Sequence, residues 1–140
     1  MSNKNRVRLF KVATDFQLTE VVLTEPFIIG DALYGKGGFA RTASINYPVL
    51  LENLKANKIF SNFTMLVDED APRKEQPLNF IGSFIYQSPI FGDVYFVKVG
   101  KDDFVDMFDR EYDILKTQLL GLIDVVTDEL ANSSDSDEVD

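Results

Sequence analysis

The stretch DDFVDMFDREYDILKTQLLGLIDVVTDEL, residues 102–130, determines the predicted architecture of this chain. Its large apolar side chains recur at intervals of three and four residues, which matches the 3.6-residue turn of an α-helix. On a helical wheel they fall within a sector about 80° wide and form one apolar stripe. We predict a long amphipathic helix that Asp102 or Asp103 caps and that Gly121 weakens internally. The stripe consists of Phe104, Phe108, Tyr112, Leu115, Leu119, Leu122, Val126 and Leu130.

The residues before this stretch alternate with a period of two, which is typical of strands with one buried face. A short helix is predicted over residues 48–57, with Pro48 at its first position. Residues 30–42 contain four glycines and are predicted to form a long mobile loop. The expected fold class is α+β: a mainly antiparallel sheet of five to six strands, one short helix and a long C-terminal amphipathic acidic helix. The predicted strands are Arg6–Val12, 16–24, 44–47 and 60–67, followed by a hairpin of Phe80–Tyr86 with 93–99.

Length and composition limit the classes to which this protein belongs. A chain of 140 residues with 45% hydrophobic side chains predicts a single α+β domain over residues 1–131 and a disordered acidic tail over 132–140. The sequence contains no cysteine and no histidine, which removes thiol nucleophiles, the commonest general base and the commonest metal ligands. We therefore expect a protein that is not an enzyme and needs no metal or cofactor. Its apolar runs are short and no signal-peptide core is present, so we expect a cytoplasmic location.

Negative charge is concentrated at one end of the sequence. Residues 1–101 contain 12 basic and 10 acidic side chains, whereas residues 102–140 contain 2 basic and 13 acidic ones. The formal net charge of −9 disfavours direct binding to nucleic acid or to an anionic membrane. The acidity therefore belongs to the predicted helix and its tail rather than to the whole surface.

Six aspartates of the predicted helix fall within a sector about 100° wide, opposite the apolar stripe. Neighbours three or four residues apart are separated by roughly 4.5–6 Å along a helix axis, compared with a phosphate rise of about 3.4 Å along one DNA strand. Such a row is a candidate imitation of a nucleic-acid backbone, provided that arginines elsewhere in the chain do not neutralise it. The alternative is an ordinary solvated helix face. The candidate partner-binding residues are Asp102, Asp106, Asp109, Asp113, Asp124 and Asp128.

Other motifs favour structural roles. The segment Gly35-Lys36-Gly37-Gly38 lacks the spacing of a phosphate-binding loop, and Asp68-Glu69-Asp70 lacks the spacing of a calcium loop. A small-ligand site would require a deep polar pocket lined by Asp31, Tyr34 and Arg41. Aromatic residues of the predicted hairpin favour packing in a core or an interface over stacking on bases. These aromatic residues are Phe80, Phe84, Tyr86, Tyr95 and Phe96.

Residues 65–119 resemble a small domain family of unknown function that is frequent in bacteriophages and other mobile elements. The residues that support this resemblance are Val67-Asp68-Glu69-Asp70, Pro77-Leu78-Asn79, the stretch PIFGDVYFV at 89–97, and Asp103-Phe104. The amino-terminal half departs from the family pattern. The resemblance implies an origin in a phage or mobile element, and it assigns no activity and no functional residue.

The sequence therefore leads to one main functional hypothesis and two alternatives. The main hypothesis is a non-enzymatic acidic inhibitor that binds a basic, nucleic-acid-binding host or defence protein by nucleic-acid mimicry. The first alternative is an assembly subunit of a phage-type particle, or a homo-oligomer, in which the aromatic hairpin pairs with another copy. The second is a small-ligand-binding protein that uses residues 30–42.

Overall fold

The computed structural model describes residues 6–59 and 63–139, with side chains described as far as residue 131. Its strands form one antiparallel sheet in the order second, first, fifth, fourth, third, and the sixth pairs with the fifth. The α+β fold class predicted from the sequence is confirmed. The strands are β1 (Arg6–Val12), β2 (Leu18–Thr24), β3 (Ala40–Ala43), β4 (Phe63–Asp68), β5 (Val94–Val99) and β6 (Phe104–Val105). The helices are α1 (Ile29–Tyr34), α2 (Pro48–Ala56), α3 (Phe80–Tyr86) and α4 (Asp109–Val139).

The sheet buries apolar side chains on both faces. In the central strand β5, Val94 and Phe96 belong to the core under α2, α3 and α4, whereas Tyr95 and Val97 belong to a smaller core that α1 helps to cover. Residues Val94–Val97 of this strand therefore form an uninterrupted apolar run, as expected where a strand is covered on both sides. Phe10 of β1 is paired with Phe96 of β5. Arg8 precedes Phe10 by two residues and Lys98 follows Phe96 by two, so the antiparallel register brings these two cations together. They lie next to each other on the face that α4 covers, which positions the site described below.

The predicted hairpin of Phe80–Tyr86 with 93–99 is wrong, because Phe80–Tyr86 forms helix α3. Asn79, which is fully buried, accepts a hydrogen bond from the Gly82 N–H at 2.8 Å and so caps the helix. Its side-chain amide donates to the carbonyl oxygens of Val12 and Gly92 at 3.0 and 2.9 Å. The aromatic and β-branched composition favoured a strand, but this cap and the burial of Ile81 and Ile85 at helical spacing favour the helix.

The predicted start of the long helix at Asp102 or Asp103 is also wrong. Phe104 and Val105 form β6 and pair with Val99 and Lys98, so α4 begins only at Asp109. The backbone groups of this segment are used by the sheet, which a helical periodicity does not reveal. The predicted domain limit at residue 131 and the disorder predicted for 132–140 stay predictions, and the helical backbone assigned to α4 extends through Val139.

The glycine-rich segment is not one long loop. It contains most of helix α1 and the start of β3. The backbone at Gly30 packs directly against the backbone at Gly38, so that a Cβ on Gly30 would lie 2.0 Å from the carbonyl oxygen of Gly38. Residues 44–47 are not a strand, because the N–H groups of Asn46 and Tyr47 both donate to the Ile85 carbonyl of α3. The first part of the strand predicted over 60–67, residues 60–62, lies outside the described residues.

Candidate functional site

The six candidate aspartates occupy three different environments. Asp102 lies in the turn between β5 and β6, and Asp106 lies between β6 and α4. Asp109 is the first residue of α4. The remaining three, Asp113, Asp124 and Asp128, lie further along the helix and are exposed there. The predicted single row of six carboxylates is therefore wrong, since two of its members precede the helix.

Arg8 binds the start of α4 to the sheet. This arginine is 8% exposed; its Nε donates to Asp106 Oδ1 at 3.0 Å and its Nη1 to Asp109 Oδ1 at 3.2 Å. A further guanidinium nitrogen donates to the Met107 carbonyl. Arg6 also contacts Asp106, with its Nε 3.6 Å from Oδ2. Two of the six candidate carboxylates are therefore paired with arginines of β1, and we assign both to the attachment of the helix, although the Asp109 side chain is still 93% exposed.

The charges of this cluster stabilise each other. Burial by itself raises the pKa of the Asp106 carboxyl, but the hydrogen bonds and the positive charge of Arg8 outweigh burial and hold the pKa below its ordinary value. Burial correspondingly opposes the charge of Arg8, and the two aspartates raise its pKa. The Tyr112 ring lies 5.0 Å from Arg8 Cζ, which adds a cation–π contact.

Lys98 forms a second buried ion pair beside Arg8. Its Nζ lies 2.8 Å from Glu111 Oε1, and the same oxygen accepts the Phe108 N–H at 2.9 Å at the helix start. The Phe108 ring lies 3.9 Å from Lys98 Nζ. The acidic first turn of α4 thus neutralises two adjacent cations of the sheet, and carboxylates are also favoured at a helix N-terminus. We call Arg8, Lys98, Asp106, Asp109 and Glu111 the docking cluster.

The part of α4 beyond the docking cluster carries acidic side chains that differ from those of the cluster in their surroundings. No ion pair between described residues includes a residue after Glu111. On the helical wheel Asp113, Asp124 and Asp128 point to one side, which we call the outer face. Asp113 and Asp124 are 11 positions apart, roughly 16 Å along the axis, and Leu120, 45% exposed, lies between them. The outer face is acidic, but its spacing is not that of a phosphate backbone.

An open groove lies between α2 and α4, next to the outer face. Its volume is about 310 Å³. Val49 and Val125, which line it, are 55% and 45% exposed, and the Asn53 amide donates to Gln118 Oε1 at 2.8 Å between the two helices. A shallower depression shares Thr117 and Gln118 with the groove and also includes Asp113. The lining residues are Tyr47, Val49, Leu50, Asn53, Thr117, Gln118, Gly121, Leu122 and Val125.

Sequence reasoning did not identify this groove. Val125 lies off the apolar stripe of the wheel, and Gly121 interrupts a helix without an evident reason; both were signals that a second surface exists. The α2 side of the groove could not be predicted from the sequence, because its position depends on where α2 packs against α4.

The polar residues of segment 30–42 are used inside the protein. Asp31 Oδ1 accepts the Gly37 N–H at 3.0 Å, and the Tyr34 hydroxyl donates to the Asp93 carbonyl at 3.0 Å. Burial, followed by the nearby Tyr95 and acidic groups, raises the pKa of Tyr34. Arg41 lies exposed on β3. These residues do not form the polar pocket that a small-ligand site would require.

The motifs that support the family resemblance have structural roles here. Asp68 accepts the Asp70 N–H and pairs with Lys74 Nζ, both at 2.9 Å, in the turn after β4. Asn79 caps α3, and Gly92 adopts a φ of 81° at the turn before β5. These residues therefore specify the fold rather than a binding site.

Two further features concern the described part of the chain. It contains no group of three or more acidic side chains arranged to hold a metal ion. Of its helices, none combines the length and the apolarity that a membrane span requires.

Comparison with known proteins leaves the function to be argued from the geometry alone. A scan of protein-family models, a search of curated proteins and a search of solved structures each gave no match. The resemblance to a phage-associated family stays a prediction.

Proposed function

We propose that this protein is a non-enzymatic interaction protein that binds a basic partner through the outer face of α4. The observation that supports the proposal most strongly is that exposed carboxylates persist there without ion pairs among the described residues. The acidic side chains of the docking cluster have a structural explanation, whereas those of the outer face have no ion-pair partner among the described residues. A concentrated negative surface attracts a positively charged partner at long range and speeds association.

The proposed mechanism is competition with nucleic acid for a Lys/Arg-rich surface of a host or defence protein. It rests on the charge of the outer face, because the discontinuous spacing of Asp113, Asp124 and Asp128 does not reproduce that of phosphates. An origin in a phage or mobile element and a cytoplasmic location belong to the same proposal. Together these features describe an inhibitor that occupies the partner's nucleic-acid site.

The assembly alternative loses its structural basis. It depended on an aromatic hairpin with free edges, but β5 is paired on both sides, with β1 and β4, and Phe80–Tyr86 is helical. The small-ligand alternative likewise loses its pocket, since Asp31 and Tyr34 are hydrogen-bonded within the protein.

A pair of matched charge reversals tests the proposal. The first variant carries Asp124→Lys and Asp128→Lys on the outer face; the second carries Glu69→Lys and Glu75→Lys, two exposed acids after β4. Both reversals change the formal net charge from −9 to −5, so they differ only in the position of the change. Each immobilised protein is used to capture proteins from a lysate of the native host at low salt, followed by elution with a salt gradient.

The expected result is one basic nucleic-acid-binding protein that the wild type and the Glu69/Glu75 variant retain, that the Asp124/Asp128 variant does not retain, and that double-stranded DNA displaces. Retention by the Asp124/Asp128 variant equal to that of the wild type would contradict the proposal. A captured protein that DNA does not displace would contradict the competition mechanism.

A further inference from the structure

The groove between α2 and α4 contains apolar side chains that the described part of the chain leaves exposed to water. Val49 and Val125 lie on its two sides and are each about half exposed. Removing a side chain of this size from water is worth on the order of 1 kcal/mol or more, so the groove offers binding free energy to an apolar partner surface.

Gly121 keeps this groove open. It lies inside a long helix, where glycine costs roughly 1 kcal/mol relative to alanine. A Cβ at this position would meet nothing within 4 Å, so neither the packing nor the backbone of the described chain requires glycine here. A larger residue would stabilise the helix, and its side chain would occupy the groove. We therefore attribute the missing side chain at Gly121 to the binding of a ligand or partner in the groove rather than to the stability of the fold.

The rims of the groove are acidic. Asp124 and Asp128 follow Gly121 and Val125 by three residues on α4, so they are neighbours of these residues on the helix surface. Glu52 bears the same relation to Val49 on α2. One cation, Arg110, lies at the far end, where both its terminal nitrogens approach the Asn57 carbonyl at 3.3 Å. The groove therefore matches an occupant that is apolar on one side and cationic at its edges.

We propose that the groove receives the apolar face of a basic amphipathic helix belonging to the partner. The inference rests on the proposed function and specifies the element by which the partner binds. The α4 residues that line the groove, from Thr117 to Val125, extend over roughly 12 Å of helix axis, enough for apolar side chains at i, i+3 and i+7 of a docked helix. A second copy of this chain is a poorer occupant, because it would place Asp124 and Asp128 of both copies near one another.

The test uses two fluorescein-labelled peptides of about 18 residues. The first is an amphipathic helix with leucines on one face and lysines on the other; the second keeps the lysines and replaces every leucine by glutamine. Binding is measured by fluorescence anisotropy at low salt for the wild type and for Gly121→Leu, which fills the groove. The matched control is Thr127→Leu, which adds the same side chain at an exposed position of α4 that does not line the groove.

We expect Gly121→Leu to weaken binding of the leucine–lysine peptide by at least about tenfold and Thr127→Leu to change it by less than about twofold. Chemical-shift changes in the wild type on binding are expected at Val49, Gly121 and Val125. The helical CD signal and thermal melting of Gly121→Leu verify that the variant is folded.

Failure of this inference differs from failure of the proposed function. Equal affinity of the wild type and Gly121→Leu, or no binding of the leucine–lysine peptide to the wild type, would overturn the groove proposal. If Asp124→Lys with Asp128→Lys still abolished capture of the basic protein, the outer-face proposal would stand without the groove. A wild type that sediments as a dimer and becomes monomeric with Gly121→Leu would overturn the inference in favour of a second copy.

Discussion

The start of α4 and the part of the helix that follows it contain acidic residues in opposite physical situations. At its start, Asp106, Asp109 and Glu111 meet Arg8 and Lys98 of the sheet, and their charges hold the helix in place. Further along, Asp113, Asp124 and Asp128 face solvent without ion pairs among the described residues. Acidic residues at a regular spacing therefore do not indicate one role. Their role is decided by the residues that the rest of the fold places opposite them.

The largest effect is expected from breaking the docking cluster. Arg8→Met should lower the free energy of unfolding by about 3 kcal/mol, because Asp106 and the Met107 carbonyl lose their main partner in a largely buried setting. Urea denaturation measures the change. The matched control, Arg41→Met at an exposed position of strand β3, should change the free energy of unfolding by less than about 0.5 kcal/mol. Equal effects of the two substitutions would contradict the division of α4 into two parts.

The second prediction concerns pH. The pKa of Asp106 is lowered in the folded protein, so its stabilising contribution is present above the ordinary carboxyl pKa and is lost as the pH falls through the folded value. Asp106→Asn should therefore cost about 2 kcal/mol near neutral pH, and this cost should decrease below about pH 4.

Urea denaturation at a series of pH values measures this cost. As a control, Asp113→Asn on the outer face should change the free energy of unfolding by less than about 0.5 kcal/mol near neutral pH. A cost of Asp106→Asn that stayed constant down to about pH 2 would be inconsistent with the charged pair described here.

A smaller effect, of opposite sign, is expected at the groove. Gly121→Ala should raise the free energy of unfolding by about 1 kcal/mol, or Tm by about 3 °C, because the new methyl group meets nothing and alanine favours the helix. Gly82→Ala in α3 is the contrasting variant: its Cβ would lie 2.9 Å from Val94 Cγ1 in the core, so it should destabilise. Differential scanning calorimetry of both variants checks the pair. Destabilisation by Gly121→Ala would show that the fold itself requires glycine there.

The smallest effect on stability is expected on the outer face. Replacing Asp113, Asp124 and Asp128 together by asparagine should change the free energy of unfolding by less than about 1 kcal/mol, since none of the three has an ion-pair partner among the described residues. Urea denaturation again provides the measurement. A loss of more than about 2 kcal/mol would assign these carboxylates to the fold and would remove the reason for assigning them to a partner.

Local patterns in the sequence correctly predicted those strands and helices whose intrinsic propensity agrees with the packing that the rest of the fold imposes on them. Strand β1 has the predicted bounds, β2 and α2 differ from their predicted bounds by one or two residues, and the long helix forms over most of its predicted length. The failures occur where distant residues decide. Asn79 caps α3 at the Gly82 N–H, and its bonds to Val12 and Gly92 fix it in that position, which the sequence around residue 80 does not reveal.

The candidate site was only partly predictable for the same reason. The wheel placed Asp113, Asp124 and Asp128 on one outer face correctly, because that inference needs only the helix. It could not show that Arg8, about a hundred residues earlier, pairs with Asp106 and Asp109. The groove needs two helices that are distant in sequence, so exposed Val125 and uncompensated Gly121 were its only local signs.

The affinity of the captured basic partner, once purified, for two charge variants tests the central proposal most directly. The proposal predicts that Asp124→Lys with Asp128→Lys raises Kd by at least about tenfold at low salt, whereas Glu69→Lys with Glu75→Lys, which carries the same net charge, changes it by less than about twofold. Equal weakening by both variants would mean that the partner responds to total charge, and the outer face of α4 would then have no special role.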